Sequence, residues 1–463
     1  MPAPSPFASV LDAIGNTPMH EVTQIDTGPC RLFLKLESHN PGGSIKDRIG
    51  LSMICAAEES GQLKPGGTLI EATAGNTGLG LALVAAQRGY GLVLVVPDKM
   101  AREKVLHLRA LGAEVISTRS DVLKGHPAYY QDMAARLAAE NGWFYINQFE
   151  NPANPKAHYD TTGPEIRHQV RASGAARVDA LVCGVGSGGT ITGLSQYFAA
   201  VGEGTQMVLS DPEGSILAHY IETGEVSEDV GSWLVEGIGE DFLPPVADLS
   251  HTDTAFTIPD SEAFAAAREL LKVEGILAGD SSGTLLAAAL KYCRAQTEPK
   301  TVVTFVCDRG DKYLSKLYND HWMQDNGFIA PRQTGDLRDL ITRKQALGQV
   351  ITVQPQTTLA AVYRQMKLYE ISQLPVMTVA GALVGLIDEG DLLAHVFENG
   401  GSFAGLAEEV MTKDLQTLGL NASTQAVVDL LRQGFVVPIV EAGCFYGLIT
   451  KIDLLTHMKL MGL

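Results

Sequence analysis

The sequence lacks an excess of basic residues and has no long apolar run. Its 463 residues include 35 Lys and Arg against 53 Asp and Glu, a formal charge of −18. A negative field of this size repels phosphate backbones and anionic lipid headgroups, so neither nucleic acid nor membrane is expected as a partner. No uncharged apolar stretch approaches the length of a membrane span, and the N-terminus has no basic segment followed by an apolar one. We therefore expect a cytoplasmic protein.

Cysteine is scarce, and its spacing excludes the common metal and redox motifs. The six cysteines lie far apart, with no Cys-x-x-Cys pair and no histidine cluster at metal-ligand spacing. Reduced thiols are expected rather than disulfides, and no metal site is predicted. With 45% apolar and 19% charged residues, the composition is typical of a folded globular protein.

Apolar strand-like runs alternate with amphipathic segments over the first two thirds of the chain. The runs GGTLIEA, YGLVLVVPD, VDALVCGV and KTVVTFVCD are separated by helix-like segments such as TGLGLALVAAQRG. This alternation predicts βαβ units, and hence an α/β fold with a parallel sheet flanked by helices. We predict one α/β region with two lobes around a cleft over residues 1–325, and a polar linker over 326–340.

An internal repeat follows the predicted linker. The segment LPVMTVAGALVGLIDEGDLLAHV, from Leu374, aligns with VPIVEAGCFYGLITKIDLLTHM, from Val437, and places Asp391 opposite Asp453. Each unit of about sixty residues is marginal on its own. We therefore predict two small domains, at 341–400 and 401–463, that pack against one another.

Lys46 stands directly after a glycine-rich turn. The segment NPGGSIKDRIG places it behind Gly42, Gly43 and Ser44, at the start of a predicted helix. Taken alone, such a lysine is most simply a solvated side chain. Beside a glycine-rich turn it could also reach a cofactor aldehyde and form a Schiff base with it.

A second loop, in IEATAGNTGLG, joins a predicted strand to a predicted helix. Between Thr73 and Gly78 it combines short hydroxyls, backbone N–H groups and a helix N-terminus. These groups suit a carboxylate or a phosphate. A well-capped turn without a ligand fits the segment equally well.

The segment VCGVGSGGTITG has the same strand-to-helix position. Gly184, Gly186 and Gly189 satisfy Gly-x-Gly-x-x-Gly, and Asp211 follows 22 residues after Gly189, which imitates a dinucleotide-binding fingerprint. The same glycines would serve as a cup for one phosphate at a helix N-terminus. We favour a phosphate role over a purely structural turn.

The segment LAGDSSGTLL contains Gly-x-Ser-x-Gly with Ser281 at its centre. In a hydrolase elbow Ser281 would be the nucleophile, with Asp308 and His321 downstream in a suitable order. Those partners are too close in sequence to favour this interpretation. We prefer Ser281 as a hydrogen-bond partner of a ligand nitrogen.

Taken together and in this order, the four motifs resemble those of the fold-type II pyridoxal-phosphate enzymes, the family of cysteine synthase and cystathionine β-synthase. The resemblance covers residues 8 to about 320 and implies two-lobed open parallel sheets with flanking helices. Three segments, SDPEGSIL, VEGIGEDFLP and NPANPKAHYDTTGPEI, resemble the cystathionine β-synthase branch, although the last is shared with the sulfhydrylases. The C-terminal repeat resembles a tandem pair of CBS-type regulatory domains.

The resemblance implies a role for each matching position. Lys46 would bind pyridoxal phosphate covalently, Asn76 would contact its 3-hydroxyl, and Ser281 its pyridine nitrogen. The cofactor's phosphate would be held by Gly186, Ser187, Gly188, Gly189 and Thr190. The carboxylate of the amino-acid substrate would be bound by Thr73, Gly75, Thr77 and Gln148, and the incoming nucleophile would lie near Tyr159 and Gly237.

The implied reaction is a β-replacement in which L-serine and L-homocysteine give L-cystathionine and water, with Lys46 as the general base. A cysteine synthase (O-acetylserine sulfhydrylase) acting on O-acetylserine and sulfide, and an O-acetylserine-dependent cystathionine synthase, are the nearest alternatives. Ala74 stands where the sulfhydrylases often have serine, which leaves the leaving group of the substrate open.

The resemblance also implies whether haem is bound and whether the chain forms oligomers. It begins within the first ten residues, without the N-terminal Cys and His extension of the haem-binding synthases, so no haem is predicted. A homodimer or a larger homo-oligomer is implied.

Thr450 and Asp453 resemble the Thr-x-x-Asp with which CBS-type domains hold an adenosine ribose and phosphate. The first repeat has Asp388 in place of the threonine, which disfavours a phosphorylated ligand there. We predict one adenosyl ligand, such as S-adenosylmethionine or a nucleotide, at the second repeat. A packing and dimerisation module without a ligand is the alternative.

Two interpretations from other classes stay open. A sensor protein whose α/β region only binds a ligand would leave Lys46 without a purpose. An NAD-dependent dehydrogenase would use Gly184, Gly186, Gly189 and Asp211, but it would leave the other motifs unexplained.

Overall fold

The computed structural model describes residues 7–73, 75–98, 100, 102–122, 124–330, 334–398, 400 and 402–460. By its internal contacts the chain divides into two units, Met1–Asn319 and Asp320–Leu463. None of the helices among the described residues is both long enough and apolar enough to cross a membrane. The six cysteines all lie within the described residues and are free thiols.

The first unit contains two sheets. Its strands are β1 (Met19–Glu21), β2 (Arg31–Lys35), β3 (Thr68–Ala72), β4 (Gly91–Pro97), β5 (Glu114–Thr118), β6 (Phe144–Tyr145), β7 (Ala180–Gly184), β8 (Gln206–Pro212), β9 (Thr252–Ile258) and β10 (Thr301–Phe305). One sheet has the order β1-β2-β10-β7-β8-β9, and the other has the order β5-β4-β3-β6. Only the β1 and β2 pair is antiparallel, so both sheets are built almost entirely from parallel strands.

Helices connect these strands in the alternation that the sequence predicts. They are α1 (Lys46–Glu59), α2 (Asn76–Arg88), α3 (Arg102–Ala110), α4 (Tyr130–Asn141), α5 (Ala153–Ala157), α6 (Gly163–Ala172), α7 (Gly189–Val201), α8 (Leu217–Thr223), α9 (Asp260–Glu274) and α10 (Asp280–Arg294). A π-helical turn, His158–Thr162, joins α5 to α6. Strands such as β10, whose five residues are all buried, are continuous apolar runs because helices cover both faces of a parallel sheet.

Helix α1 is held in place at two points. A Cβ on Gly80 of α2 would lie 2.6 Å from the carbonyl oxygen of Lys46, so the two helices approach more closely than any larger residue would allow. Further along α1, Arg48 donates hydrogen bonds to the buried Glu37 and to Glu165, which also accepts one from Lys35. Burial opposes a charge on Glu165, but the hydrogen bonds and charges of Arg48 and Lys35 outweigh it and lower its pKa to about 2. Lys46 therefore sits at the end of a firmly anchored helix.

The second unit repeats one arrangement twice. Its helices are α11 (Asp320–Asp325), α12 (Leu359–Tyr369), α13 (Glu389–Glu398), α14 (Ala407–Val410), α15 (Thr424–Arg432) and α16 (Lys451–Leu460). Its antiparallel pairs are β11 (Gln373–Met377) with β12 (Leu383–Asp388), and β13 (Val437–Glu441) with β14 (Cys444–Ile449). In each repeat a preceding segment adds a parallel bridge, Val353 to Val376 and Leu418 to Ile439.

Each repeat has its own apolar core. The first is built around Val362, Leu374 and Ile387, and the second around Val427, Val437 and Ile449. Leu337 and Leu340, at the end of the segment predicted as a linker, are buried in the core of the second repeat. Two residues of this core therefore lie about sixty positions before the predicted start of the repeat to which the core belongs.

Candidate active site

A cavity of about 960 Å³ opens in the first unit where β3, β7 and β10 end. Ligands of open parallel sheets bind at the carboxyl ends of the strands, because the loops there face one another and the helices that follow present their N-termini. Most of the residues predicted from the sequence to form the site line this one cavity. They are Lys46, Thr73, Gly75, Asn76, Thr77, Gln148, Gly186, Ser187, Thr190, Gly237 and Ser281.

Lys46 is the first residue of α1 and lies in the cavity wall. Burial disfavours its ammonium form and lowers the pKa of its amine, although the carboxylates of Asp308 and Glu240 act in the opposite direction. A lysine with a lowered pKa carries a larger fraction of neutral amine, which is the form that attacks an aldehyde or accepts a proton.

The loop that leads into α2 presents backbone donors to the cavity. Gly75, with a φ of +133°, precedes the helix, and its N–H donates to the hydroxyl of Thr73 at 3.1 Å. Within the described part of the chain the N–H groups of Asn76 and Thr77 donate to no other protein atom. Ala74 lies outside the described residues. A helix N-terminus with unused N–H groups is a suitable site for a carboxylate.

Two of the predicted substrate-binding side chains are hydrogen-bonded to each other. The hydroxyl of Thr77 donates to Oε1 of Gln148 at 2.7 Å, and Nε2 of Gln148 donates to the carbonyl of Ala72 at 3.2 Å and to Oε1 of Glu71 at 3.4 Å. Gln148 therefore connects the start of α2 to strand β3. Because these two side chains already donate within the protein, the donors left for a carboxylate at this place are the backbone N–H groups.

The glycine-rich segment after β7 forms a cup at the start of α7. Gly188 has a φ of +88° and directly precedes the helix, a conformation that only glycine adopts without strain. Within the described residues the N–H groups of Ser187, Gly188, Gly189 and Thr190 donate to no other protein atom. Ser187 and Thr190 line the cavity. Unused N–H groups at a helix N-terminus, together with the hydroxyls of these two residues, match the acceptor oxygens of a phosphate.

Two buried side chains stand behind this cup. Nδ2 of Asn154 lies 2.9 Å from Oγ of Ser187, and Nε2 of His158 lies 3.2 Å from Oγ1 of Thr190. Both belong to the segment NPANPKAHYDTTGPEI, but sequence analysis assigned neither a role. The sequence gives no sign of a role for either residue. Their contacts with Ser187 and Thr190 are visible only in the folded chain, where this segment packs against the cup.

Ser281 is the second residue of α10 and lines the cavity, as does Cys307. Its N–H donates to Oδ1 of Asp280 at 2.7 Å. Burial raises the pKa of Cys307 to about 12, so its thiol stays protonated, and a hydrogen bond with Ser281 acts in the opposite direction. A neutral hydroxyl and a neutral thiol therefore line the same wall, with no carboxylate at the position of Ser281.

Asn76 is held by Asp308, which sequence analysis named only in the hydrolase interpretation, and by Lys312, to which it assigned no role. Its Nδ2 donates to Oδ2 of Asp308 at 2.8 Å, and its Oδ1 accepts from Nζ of Lys312 at 3.0 Å. Asp308 also accepts a hydrogen bond from the hydroxyl of Tyr313 at 2.7 Å. The hydrolase interpretation used Asp308 as a triad member, but this carboxylate is engaged by an amide and a phenol.

Tyr159 and Asp211 are not among the residues that line the cavity. Tyr159 follows His158 in the π-helical turn, and because His158 takes the buried face, Tyr159 is exposed and stacks edge-on against Tyr197 at 5.8 Å. Asp211 is fully buried and accepts the N–H of Ala218 at 2.8 Å. It therefore caps α8 and is not presented to a ribose in the way the dehydrogenase interpretation requires.

These observations fit pyridoxal phosphate. A lysine with a lowered amine pKa, a cup of unused N–H groups and a neutral hydroxyl at a helix N-terminus all line one cavity. They match an aldehyde, a phosphate and a ring nitrogen respectively. Metal ligands are not part of this set, since the described residues contain no group of three or more His, Cys, Asp or Glu that could hold a metal ion.

In the second unit, the predicted adenosyl-binding residues are hydrogen-bonded within the chain. Oδ2 of Asp453 accepts the N–H of Thr450 at 2.7 Å and also its hydroxyl, and the hydroxyl of Thr342 donates to Oδ1. Asp453 thus caps the start of α16. At the corresponding place in the first repeat, Asp388 and Asp391 each accept the other's N–H.

Comparison with known proteins identifies a pyridoxal-phosphate-dependent region followed by two CBS domains. The family model for pyridoxal-phosphate dependent enzymes matches residues 10–308, and the CBS domain model matches residues 337–398 and 407–460. The cystathionine β-synthase of Dictyostelium discoideum is 36% identical and covers 97% of this chain and 92% of its own length. That of Oryctolagus cuniculus is 36% identical and covers 96% and 81%.

Solved structures resemble about two thirds or more of the chain. O-ureido-L-serine synthase superposes with a TM-score of 0.62 at 34% identity, covering 72% of this chain and 98% of its own. The O-acetylserine-dependent cystathionine β-synthase of Helicobacter pylori has a TM-score of 0.61 at 37% identity, with 67% and 98% covered.

The predicted fold class, the family resemblance and the CBS-type repeat are confirmed by these matches. The dehydrogenase and sensor interpretations find no support in them. The chain therefore belongs to the pyridoxal-phosphate-dependent enzymes, as a lyase related to the cystathionine β-synthases, with a C-terminal pair of CBS domains.

Proposed function

We propose that this enzyme condenses L-serine with L-homocysteine to give L-cystathionine and water. The observation that carries the proposal is the convergence, in one cavity, of Lys46, the N-terminal turn of α2, the cup before α7 and Ser281. The similar proteins named cystathionine β-synthase, which match both the first unit and the CBS pair, support the same reaction.

The cofactor would be held by residues from four elements. Lys46 would bind its aldehyde, Asn76 its 3-hydroxyl and Ser281 its ring nitrogen. The amide of Asn76 is oriented by Asp308 and Lys312, which supports a fixed contact there. The phosphate would be held by Gly186, Ser187, Gly188, Gly189 and Thr190.

The amino-acid substrate would place its carboxylate at the start of α2. The N–H groups of Asn76 and Thr77 would donate to it, beside Thr73, Gly75 and Gln148. On the side of the incoming nucleophile the proposal relies on Gly237, which lines the cavity, because Tyr159 lies outside it.

Bound there, pyridoxal phosphate supplies the conjugated ring that takes up the electron pair when a bond at the substrate's α-carbon breaks. The chain's own residues supply the proton transfers and the orientation. Once serine has displaced Lys46 from the aldehyde, the freed neutral amine of Lys46 would take the α-proton. The β-hydroxyl would leave and take up the proton of the homocysteine thiol, which gives water, and the thiolate would add at the β-carbon. The ammonium of Lys46 would then return its proton to the α-carbon. Ser281, as a neutral partner, would leave the ring nitrogen unprotonated.

The same proposal includes the finer properties that the resemblance implies. The enzyme would act without haem, as a homodimer or larger homo-oligomer, in the cytoplasm. Its second CBS domain would take an adenosyl ligand at Thr450 and Asp453. Its functional regions would be the catalytic region 1–325, the linker 326–340 and the CBS domains 341–400 and 401–463.

The competing function uses O-acetylserine in place of serine. The similarity to the O-acetylserine-dependent enzyme of Helicobacter pylori, at 37% identity, favours it as the second candidate. A cysteine synthase, with sulfide as the nucleophile, is the third.

Product analysis separates these functions. The purified enzyme with pyridoxal phosphate is offered serine or O-acetylserine against homocysteine or sulfide, in all four combinations, with Lys46→Ala as the inactive control. We expect cystathionine from serine and homocysteine. Product from O-acetylserine alone would overturn the serine-dependent reaction, and cysteine as the main product would overturn homocysteine as the nucleophile.

A further inference from the structure

The two hydroxyls of the cup are each contacted from behind by one short helical segment. Nδ2 of Asn154 lies 2.9 Å from Oγ of Ser187, and Nε2 of His158 lies 3.2 Å from Oγ1 of Thr190. Asn154 and His158 are four residues apart, so they share one face of the helical segment. Both are buried, at 1% and 0% exposure.

Two glycines of α7 allow this segment to come so close. A Cβ on Gly189 would lie 1.9 Å from Oδ1 of Asn154, and a Cβ on Gly193 would lie 2.2 Å from the carbonyl oxygen of Pro155. Because Gly189 and Gly193 are also four residues apart, they form a shallow groove along α7. The packing of the two segments therefore fixes the distance between the buried side chains and the cup.

The direction of the hydrogen bond at Ser187 follows from the chemistry of its partner. The amide nitrogen of Asn154 can only donate, and it donates to Oγ of Ser187 and to the carbonyl of Gln148, at 2.9 and 2.8 Å. The oxygen of Ser187 is therefore an acceptor on this side. Its own hydrogen remains for an acceptor in the cavity.

The direction at Thr190 follows from the other end of the imidazole. Burial, with the charges of Lys46 and Arg48, lowers the pKa of His158 well below its ordinary value, so one ring nitrogen donates and the other accepts. Nδ1 lies 3.0 Å from the hydroxyl of Thr162, which is fully buried and has no other side-chain hydrogen bond within the described residues. Since a buried hydroxyl needs an acceptor, Thr162 donates to Nδ1 and the proton of His158 resides on Nε2.

We propose that Asn154 and His158 are positioning residues for the phosphate cup. Each donates to the back of one cup hydroxyl, which leaves the hydrogens of Ser187 and Thr190 directed at phosphate oxygens. The inference goes beyond the proposed reaction, since it concerns cofactor binding whichever substrates are used. It rests on the assignment of residues 186–190 to the phosphate.

Two substitutions of one histidine test the direction of this hydrogen bond. In His158→Gln the side-chain amide reaches the place of Nε2 and can still donate to Thr190. In His158→Asn the shorter side chain reaches only the place of Nδ1. His168→Asn, at an exposed position on α6, is the matched control.

The dissociation constant of pyridoxal phosphate is measured by titrating the full-length protein after its cofactor has been removed with hydroxylamine. We expect His158→Gln to stay within about threefold of the parent protein. We expect His158→Asn to bind about tenfold more weakly, because the hydroxyl of Thr190, no longer held by Nε2, would lose most of its hydrogen bond to the charged phosphate. The ³¹P resonance of the bound phosphate should move in His158→Asn and not in His158→Gln. Equal affinity and an unmoved resonance in His158→Asn would overturn the proposal.

A double-substitution cycle separates positioning from general damage to the fold. Thr190→Val removes the hydroxyl on which His158 is proposed to act, so adding His158→Asn should then cause no further loss of affinity. The same further loss in the Thr190→Val protein would mean that His158 acts through packing alone, and would overturn the inference. If Ser187→Ala and Thr190→Val both bind pyridoxal phosphate normally, the phosphate assignment fails and this inference fails with it.

Discussion

Replacing Glu71 by glutamine tests whether a buried carboxyl behind the substrate-binding residues is held protonated. Glu71 lies on β3 at 0% exposure, and its Oε2 has no hydrogen-bond partner within the described residues. Burial disfavours the charged form and raises its pKa to about 8, while hydrogen bonds from Gln148 and Asn147 act in the opposite direction. At neutral pH this carboxyl is therefore predominantly uncharged.

The dependence of stability on pH follows from this difference between the two states. Between the ordinary pKa of 4.5 and about 8 the folded protein keeps the proton and the unfolded chain releases it, so the free energy of unfolding falls as pH rises. Each pH unit in that interval removes about 1.4 kcal/mol. The whole interval corresponds to a loss on the order of 5 kcal/mol at this one site. Glutamine has the shape of the neutral carboxyl and cannot ionise, so Glu71→Gln avoids the loss.

Thermal unfolding of the first unit, followed by calorimetry at about pH 5 and about pH 8.5, measures the effect. We expect the free energy of unfolding of Glu71→Gln, compared with that of the parent, to be several kcal/mol more favourable at about pH 8.5 than at about pH 5. Glu269→Gln, at an exposed position on α9, should differ little from the parent at either pH. A stability difference between Glu71→Gln and the parent that is the same at both pH values would refute the reasoning.

Three further substitutions test other parts of the structure. Gly188→Ala should abolish binding of pyridoxal phosphate, because the residue has a φ of +88° and the new Cβ would lie 2.3 Å from that of Ala247. The amount of bound cofactor per chain is measured, and Gly202→Ala, at a φ of +66° with no atom within 4 Å of the new Cβ, is the control. Ser281→Asp should keep the cofactor's absorption and slow turnover, since a carboxylate would hold the ring nitrogen protonated; unchanged turnover would contradict the neutral partner. Asp453→Ala should destabilise the second unit by about 1 kcal/mol without any ligand, through loss of its helix-capping hydrogen bonds; calorimetry showing no change would contradict this capping role.

Sequence patterns led to the cavity because its main parts are local. The cup, the loop from Thr73 and the turn before Lys46 each combine glycines with a strand end or helix start, so their composition indicates their shape. The meeting of the segments after β7 and β10 also follows from sequence, since parallel strands place their carboxyl ends at one edge of a sheet. The loop after β3 belongs to the other sheet, so only the tertiary structure brings it to the same cavity.

The residues that sequence analysis missed act through contacts between distant segments. Asp308 and Lys312 lie more than two hundred positions from Asn76, whose amide they hold. Asn154 and His158 have no local feature that distinguishes them from packing residues. Tyr159 is predicted to lie in the site but does not line the cavity. Its neighbour His158 occupies the buried face of the turn, and Tyr159 is therefore exposed.

The amino-acid sequence by itself indicated the α/β fold and the internal repeat, and it singled out Lys46 and the glycine-rich cup, because these features depend on hydrophobic period and on the backbone freedom of glycine. Only the tertiary structure decided which donors face the cavity. The hydroxyl of Thr77 is bonded to Gln148, and Asp453 caps a helix together with Thr342. Ser187 accepts a hydrogen bond from Asn154, and Thr190 lies within hydrogen-bond distance of His158. The direction of a buried hydrogen bond depends on which segments pack together, and this is a property of the folded chain rather than of any stretch of sequence.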